Sequence, residues 1–76
     1  MFQATPIVYC KFADEKRFQA YDINRGVPVG NIIYASMVAN TPENQEKLQR
    51  LADLNKDQGL IIQLRWGGKK VVFQTA

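Results

Sequence analysis

Two kinds of side chain in this sequence could do chemistry: a single thiol, Cys10, and a set of cations interleaved with tyrosines, namely Lys11, Arg17, Tyr21, Arg65 and Lys70. A thiol becomes a nucleophile only when a neighbouring base or a cationic setting lowers its pKa. The sequence holds no histidine, so the commonest base near neutral pH is missing and neither a Cys-His nor a Ser-His pair can be assembled. One cysteine without histidine also fails to supply the Cys and His ligands of a zinc site. Cys10 lies in an alternating apolar segment and reads as a small buried hydrophobe. Asp14 and Glu15 are adjacent carboxylates, but they fall in a turn and most simply keep it solvated. Gly67-Gly68-Lys69-Lys70 lacks the G-x-x-x-x-G-K-[ST] spacing of a phosphate loop and reads as a hairpin tip. No catalytic residue, cofactor or metal is assigned, and the chain reads as a non-enzyme.

What remains is electrostatic. The net charge is +3, yet residues 42–58 set Glu43, Glu46, Asp53 and Asp57 against Lys47, Arg50 and Lys56, a net of −1, which leaves +4 on the rest. Residues 59–76 carry Arg65, Lys69 and Lys70 and no acid. Cations beside aromatic rings are what phosphate neutralisation and base stacking require.

Those side chains are useful only if strands place them on one face. The helix comes first, because it decides which face is covered. Thr41 can cap the first-turn amides, Pro42 suits the first helical position, and Glu43 complements the helix dipole. Leu48, Leu51, Ala52 and Leu54 form the apolar stripe, and Gly59 allows the left-handed residue that ends a helix, so a helix is expected over 42–58. Glu43 with Lys47 and Glu46 with Arg50 have the favourable acid-before-base order, and Asn44 and Asn55 are expected to bond backbone at the ends.

Beyond Gly59, Leu60, Ile62, Leu64 and Trp66 alternate with polar or outward positions, the period of a half-buried strand. A two-residue glycine turn then sets a hairpin register pairing Trp66 with Lys69, Arg65 with Lys70, Leu64 with Val71, Gln63 with Val72 and Ile62 with Phe73. In the N-terminal half, Ile7 to Phe12 and Arg17 to Tyr21 read as a second hairpin. A three-residue loop at 14–16 would set Phe12 beside Phe18, Cys10 beside Ala20 and Tyr9 beside Tyr21. Asn24-Arg25-Gly26 is a turn, and Pro28 and Gly30 discourage regular structure. Residues 31–39 read as a central or doubly covered strand, with Ile33, Ala35 and Met37 facing one way and Ile32, Tyr34 and Val38 the other.

The expected fold is α+β: a mainly antiparallel β-sheet covered on one face by a single α-helix, in the order β-β-β-α-β-β, with residues 1–76 forming one small domain. The uncovered face would collect Lys11, Arg17, Arg65 and Lys70 with Tyr9, Tyr21, Gln19, Gln63 and Gln74. No apolar run approaches the roughly 20 residues of a membrane span, and Met1 to Pro6 lack signal-peptide features, so a cytoplasmic protein is expected. The best functional expectation is a small binding module that takes single-stranded nucleic acid on the basic, tyrosine-bearing sheet face. The alternative is protein association, either as a homodimer or as a small phage-type inhibitor or accessory subunit that docks on a larger complex. Ile61 and Val72, with Tyr34 and Val38 if exposed, would serve that role.

Overall fold

In the computed structural model, which describes residues 4–13, 16–32 and 35–74, the helix α1 runs Pro42–Leu54. Its cap is as expected: the Asn44 amide donates to Thr41 Oγ1 at 3.1 Å. The ion pairs Lys47–Glu43 and Arg50–Glu46 close at 3.3 and 3.4 Å. Asn44 Nδ2 donates to the Ala39 carbonyl. The helix ends four residues earlier than the sequence suggests, and Asn55 is the reason. Its side-chain amide takes the Leu51 carbonyl at 2.9 Å, so its backbone N–H moves to Ala52 and the chain tightens into a short 3₁₀ turn, Lys56–Gln58. Gly59 then stops it at φ 71°, and a Cβ there would lie 3.0 Å from the Cβ of Ala13. Conformation and close approach both demand glycine.

Six strands form one mainly antiparallel sheet, an α+β arrangement. They are β1 (Thr5–Phe12), β2 (Phe18–Asp22), β3 (Val27–Pro28), β4 (Ala35–Ser36), β5 (Leu60–Trp66) and β6 (Lys69–Phe73). The order across the sheet is β3-β2-β1-β5-β6, while β4 pairs in parallel with the start of β1. The β5–β6 register matches the glycine-turn expectation pair for pair. Leu48, Leu51 and Ala52 of the helix pack on Val8, Cys10, Phe12, Leu60 and Ile62 to form the core. Leu54 does not join them and is 73% exposed. Six residues past Leu48, it lies about 120° around the helix axis from the centre of the stripe. No helix among the described residues is long and apolar enough to cross a membrane.

The β1–β2 register differs by one residue from the sequence expectation. Tyr9 pairs with Ala20, Cys10 with Gln19 and Lys11 with Phe18, and the Phe12 amide bonds the Arg17 carbonyl at 3.4 Å. A slip of one exchanges the two faces of a strand. The competing registers present either Phe18, Ala20 and Asp22 or Gln19, Tyr21 and Ile23 to the core. The first would turn the Asp22 carboxylate toward the apolar core; the second turns Tyr21 and Ile23 there, at 6% and 4% exposure, leaves Asp22, itself buried, to accept from the amides of Asn24 and Arg25, and puts Gln19 and the strand-end Arg17 on the core side. Arg17 answers by laying its guanidinium over the Phe12 ring, 4.3 Å from the centroid.

Of the strand expected over 31–39, the described residues show Ala35–Ser36, and Val27–Pro28, where Pro28 argued against regular structure, forms a two-residue edge strand. Met37 lies in solvent, and Val38, placed among the exposable residues from sequence, is buried. Ile33 and Tyr34 lie outside the described residues.

The observed register has a direct test. Tyr21→Ala should lower unfolding stability by about 3–5 kcal/mol, whereas Phe18→Ser should change it by no more than about 0.5 kcal/mol, both by urea denaturation. A costly Phe18 substitution beside a cheap Tyr21 one would restore the alternative pairing.

Candidate nucleic-acid interface

Strand alternation and the observed registers determine what stands on the face away from the helix. On one line across the sheet Lys11 lies between Phe18 of β2 and Ile61 of β5. Two residues further, Tyr9 lies opposite Ala20, and Gln63 opposite Val72. At the far end Arg65 is opposite Lys70. Phe18 is 66% exposed and Tyr9 53%, and Lys11, Gln63, Arg65 and Lys70 are exposed beside them. From Lys11 at the level of Ile61, Arg65 lies four residues along the strand direction, about 13 Å at 3.3 Å per residue. The cations thus stand at both ends of the face with aromatic rings between and beside them.

Among the described residues, the one carboxylate on this face is Asp22, and it is committed elsewhere. It is buried, its Oδ1 accepts from the amides of Asn24 and Arg25 at 2.8 and 3.3 Å, and its Oδ2 lies 3.8 Å from Arg25 Nε. This closes the turn in which the Gly26 amide bonds the Asp22 carbonyl at 2.7 Å.

Of the five sequence-predicted site residues, the fold brings Lys11, Arg65 and Lys70 to one face and removes the other two. Arg17 covers Phe12 on the helix side, and Tyr21 is a core residue whose phenol burial holds above its ordinary pKa. Gln19 also leaves the face, its amide donating to the carbonyls of Ala20 and Val29 at 3.1 Å each. Phe18 takes the aromatic place that Tyr21 vacates. The signal that could have found it is the Asp22-Ile23 order at the end of β2, which favours burying the odd-numbered side of that strand.

Between β1 and β5 the sheet is open at one end. Their pairing stops at Cys10–Ile62, and the segment following β4 enters the gap. The Trp66 indole N–H donates to the Val38 carbonyl at 2.7 Å, and the Trp66 ring packs edge-on against Phe73 at 6.0 Å. Beside this anchor lies a cleft of about 270 Å³ lined by residues 7–9 of β1, by Met37 and Val38, and by residues 63–65 of β5. Among the described residues no group of three or more His, Cys, Asp or Glu converges, and the Cys10 thiol, fully buried, has its pKa pushed up to about 12 by burial. Comparison with known protein families, curated proteins and solved structures finds no match to this chain.

The Cys10 shift fixes a pH dependence. Its folded value lies above the ordinary 9.0, so the native state holds a proton that the unfolded chain releases. The stability this contributes is complete below pH about 9 and is lost as pH rises toward 12. Urea midpoints should fall through that window, and Cys10→Ala should make the fall shallower; equal slopes would contradict the buried thiol.

Proposed function

We propose that this chain is a small, non-enzymatic binding module that takes single-stranded nucleic acid across its open sheet face. The observation that carries the reading is the exposure of Tyr9 and Phe18 on the same face as Lys11, Arg65 and Lys70. Those three cations have no carboxylate partner among the described residues, whereas the helix cations Lys47 and Arg50 are paired within their own helix. A base stacked on an exposed ring contributes roughly 1–3 kcal/mol, and any base offers the required flat surface. A duplex hides those surfaces inside its stack, so two exposed rings on a sheet favour the single strand. Cytoplasmic residence belongs to the same proposal, since an unpaired buried cysteine suits a reducing compartment.

Three neutralised phosphates give a salt slope of about −2 in log K against log salt for a single strand. A fluorescent single-stranded oligonucleotide should bind at low salt with a slope of that order, and Lys11→Ala, Arg65→Ala or Lys70→Ala should each flatten it. Absence of binding at low salt ends the proposal.

Protein association is the second reading, favoured by the exposed Phe18, Met37 and Val72 and by the open edge of β6 among the described residues. It takes the form of a homodimer or of an inhibitor or accessory subunit docked on a larger complex. Sedimentation at micromolar concentration distinguishes the homodimer: a dimer that excludes the oligonucleotide favours association, and a monomer that binds it favours the first reading.

A further inference from the structure

The β5–β6 hairpin sets two cations directly against each other. Its two-residue turn makes Trp66–Lys69 the hydrogen-bonded pair beside the bend, so Arg65–Lys70 is the non-hydrogen-bonded pair that follows. Side chains come closest in such pairs, with Cβ atoms about 4.5–5.5 Å apart. The alternate residues Leu64, Trp66 and Phe73 pack against the core, so Arg65 and Lys70 both stand on the open face, and both are exposed. Like charges in this position work against the pairing of their strands. A glutamate at either site would have closed a cross-strand ion pair, yet residues 59–76 contain no acid.

The hollow between the 22–26 turn and α1 shows the contrast. Its Arg25, Lys47 and Arg50 each have a carboxylate partner, Asp22, Glu43 and Glu46, at 3.8, 3.3 and 3.4 Å. On the open face, Asp22 stands on β2 with β1 between it and β5, so at about 4.8 Å per strand it is no nearer to Arg65 than about 10 Å. Its oxygens are also taken by the amides of Asn24 and Arg25 and by the Arg25 guanidinium. Lys69, the next cation along β6, is paired with Trp66 and belongs to the other face. Arg65 and Lys70 therefore form a doubly charged point that the described residues leave unneutralised.

This point lies at a margin. β6 is the last strand of the sheet among the described residues, and the hairpin turns back two residues before Lys70. A strand laid across Phe18 and Tyr9 toward the pair runs out of face when it arrives. An interior phosphodiester brings a single negative charge, enough for one of the two cations. A terminal phosphomonoester brings about −1.5 to −2 at pH 7 and three acceptor oxygens, which matches both.

We infer that Arg65 and Lys70 clamp the terminal phosphate of a bound single strand, so that the face selects phosphorylated strand ends; the inference rests on the nucleic-acid reading above. The planar fork of Arg65 takes two phosphate oxygens and the Lys70 ammonium the third. Tyr9 and Phe18 stack the bases that follow, and Lys11 holds an interior phosphodiester beside them. Where the strand end lacks the group, the two cations meet single charges and their mutual repulsion is only partly relieved.

The test compares three thymidine tracts of equal length, one ending in hydroxyls, one with a 5′-phosphate and one with a 3′-phosphate. At least one terminal phosphate should raise affinity by about three- to thirty-fold at low salt, and which one does so gives the direction in which the strand lies. Arg65→Ala and Lys70→Ala should each remove that gain, whereas Lys11→Ala should weaken every tract and leave the ratio intact. Both clamp residues are exposed and mutually repelling, so neither substitution threatens folding. The second ionisation of the phosphate falls near pH 6 and the sequence holds no histidine, so the gain should shrink between about pH 7.5 and 5 while the hydroxyl-ended tract binds as before. Equal affinity for the three tracts with a normal salt slope, or a gain that survives both clamp substitutions, overturns the clamp and leaves the sheet-face reading intact. Failure of all three to bind at low salt overturns both.

Discussion

One helix can cover one face of a sheet. In this chain the whole arrangement follows from how narrowly that is done: Leu48, Leu51 and Ala52 are the buried residues of α1, and they meet the even-numbered side of β1 and β5. The opposite side of those strands has no cover from the helix, and its composition must be acceptable to water. Lysine, arginine and glutamine meet that requirement at Lys11, Gln63, Arg65 and Lys70. Tyr9 and Phe18 do not need to be there for solubility, and their exposed rings set the face apart from a merely solvated one.

The elements that were legible in the sequence are those whose information is local. The Thr41 cap, the helix stripe and the Gly67-Gly68 turn each lie within a few residues of what they determine, and the β5–β6 pairing followed from the turn alone. Lys11, Arg65 and Lys70 were placed correctly because their strands alternate cleanly. Arg17 and Tyr21 were misplaced because the β1–β2 register is decided at its far end, where Asp22 serves the turn and Ile23 enters the core, rather than at the loop that joins the strands. A cation–π contact at the loop then accommodates the residue that seemed to forbid that pairing. The described residues that follow Ala35–Ser36 depart from the expected strand for a different reason. The apolar residues suggested a strand, but Met37 and Val38 lie at a gap between two others, which no periodicity encodes.

That gap is the part of the fold furthest from the sequence pattern and the part with most shape. β1 changes partners along its length, pairing with β4 at Thr5 and Pro6 and with β5 only from Cys10 onward. Val38 wedges between the diverging strands, and the Trp66 indole holds it there. A continuous ladder from Cys10 to Thr5 would have given a flat surface with no cleft. The departure from regular pairing turns a platform into a platform with a recess.

The strand at the margin carries its own safeguard. β6 ends the sheet among the described residues, and Lys69 and Lys70 open it beside the tight glycine bend. Laying a second copy parallel and in register along that border would set Lys69 and Lys70 of the two copies side by side, and their repulsion disfavours the lateral stacking from which fibrils grow.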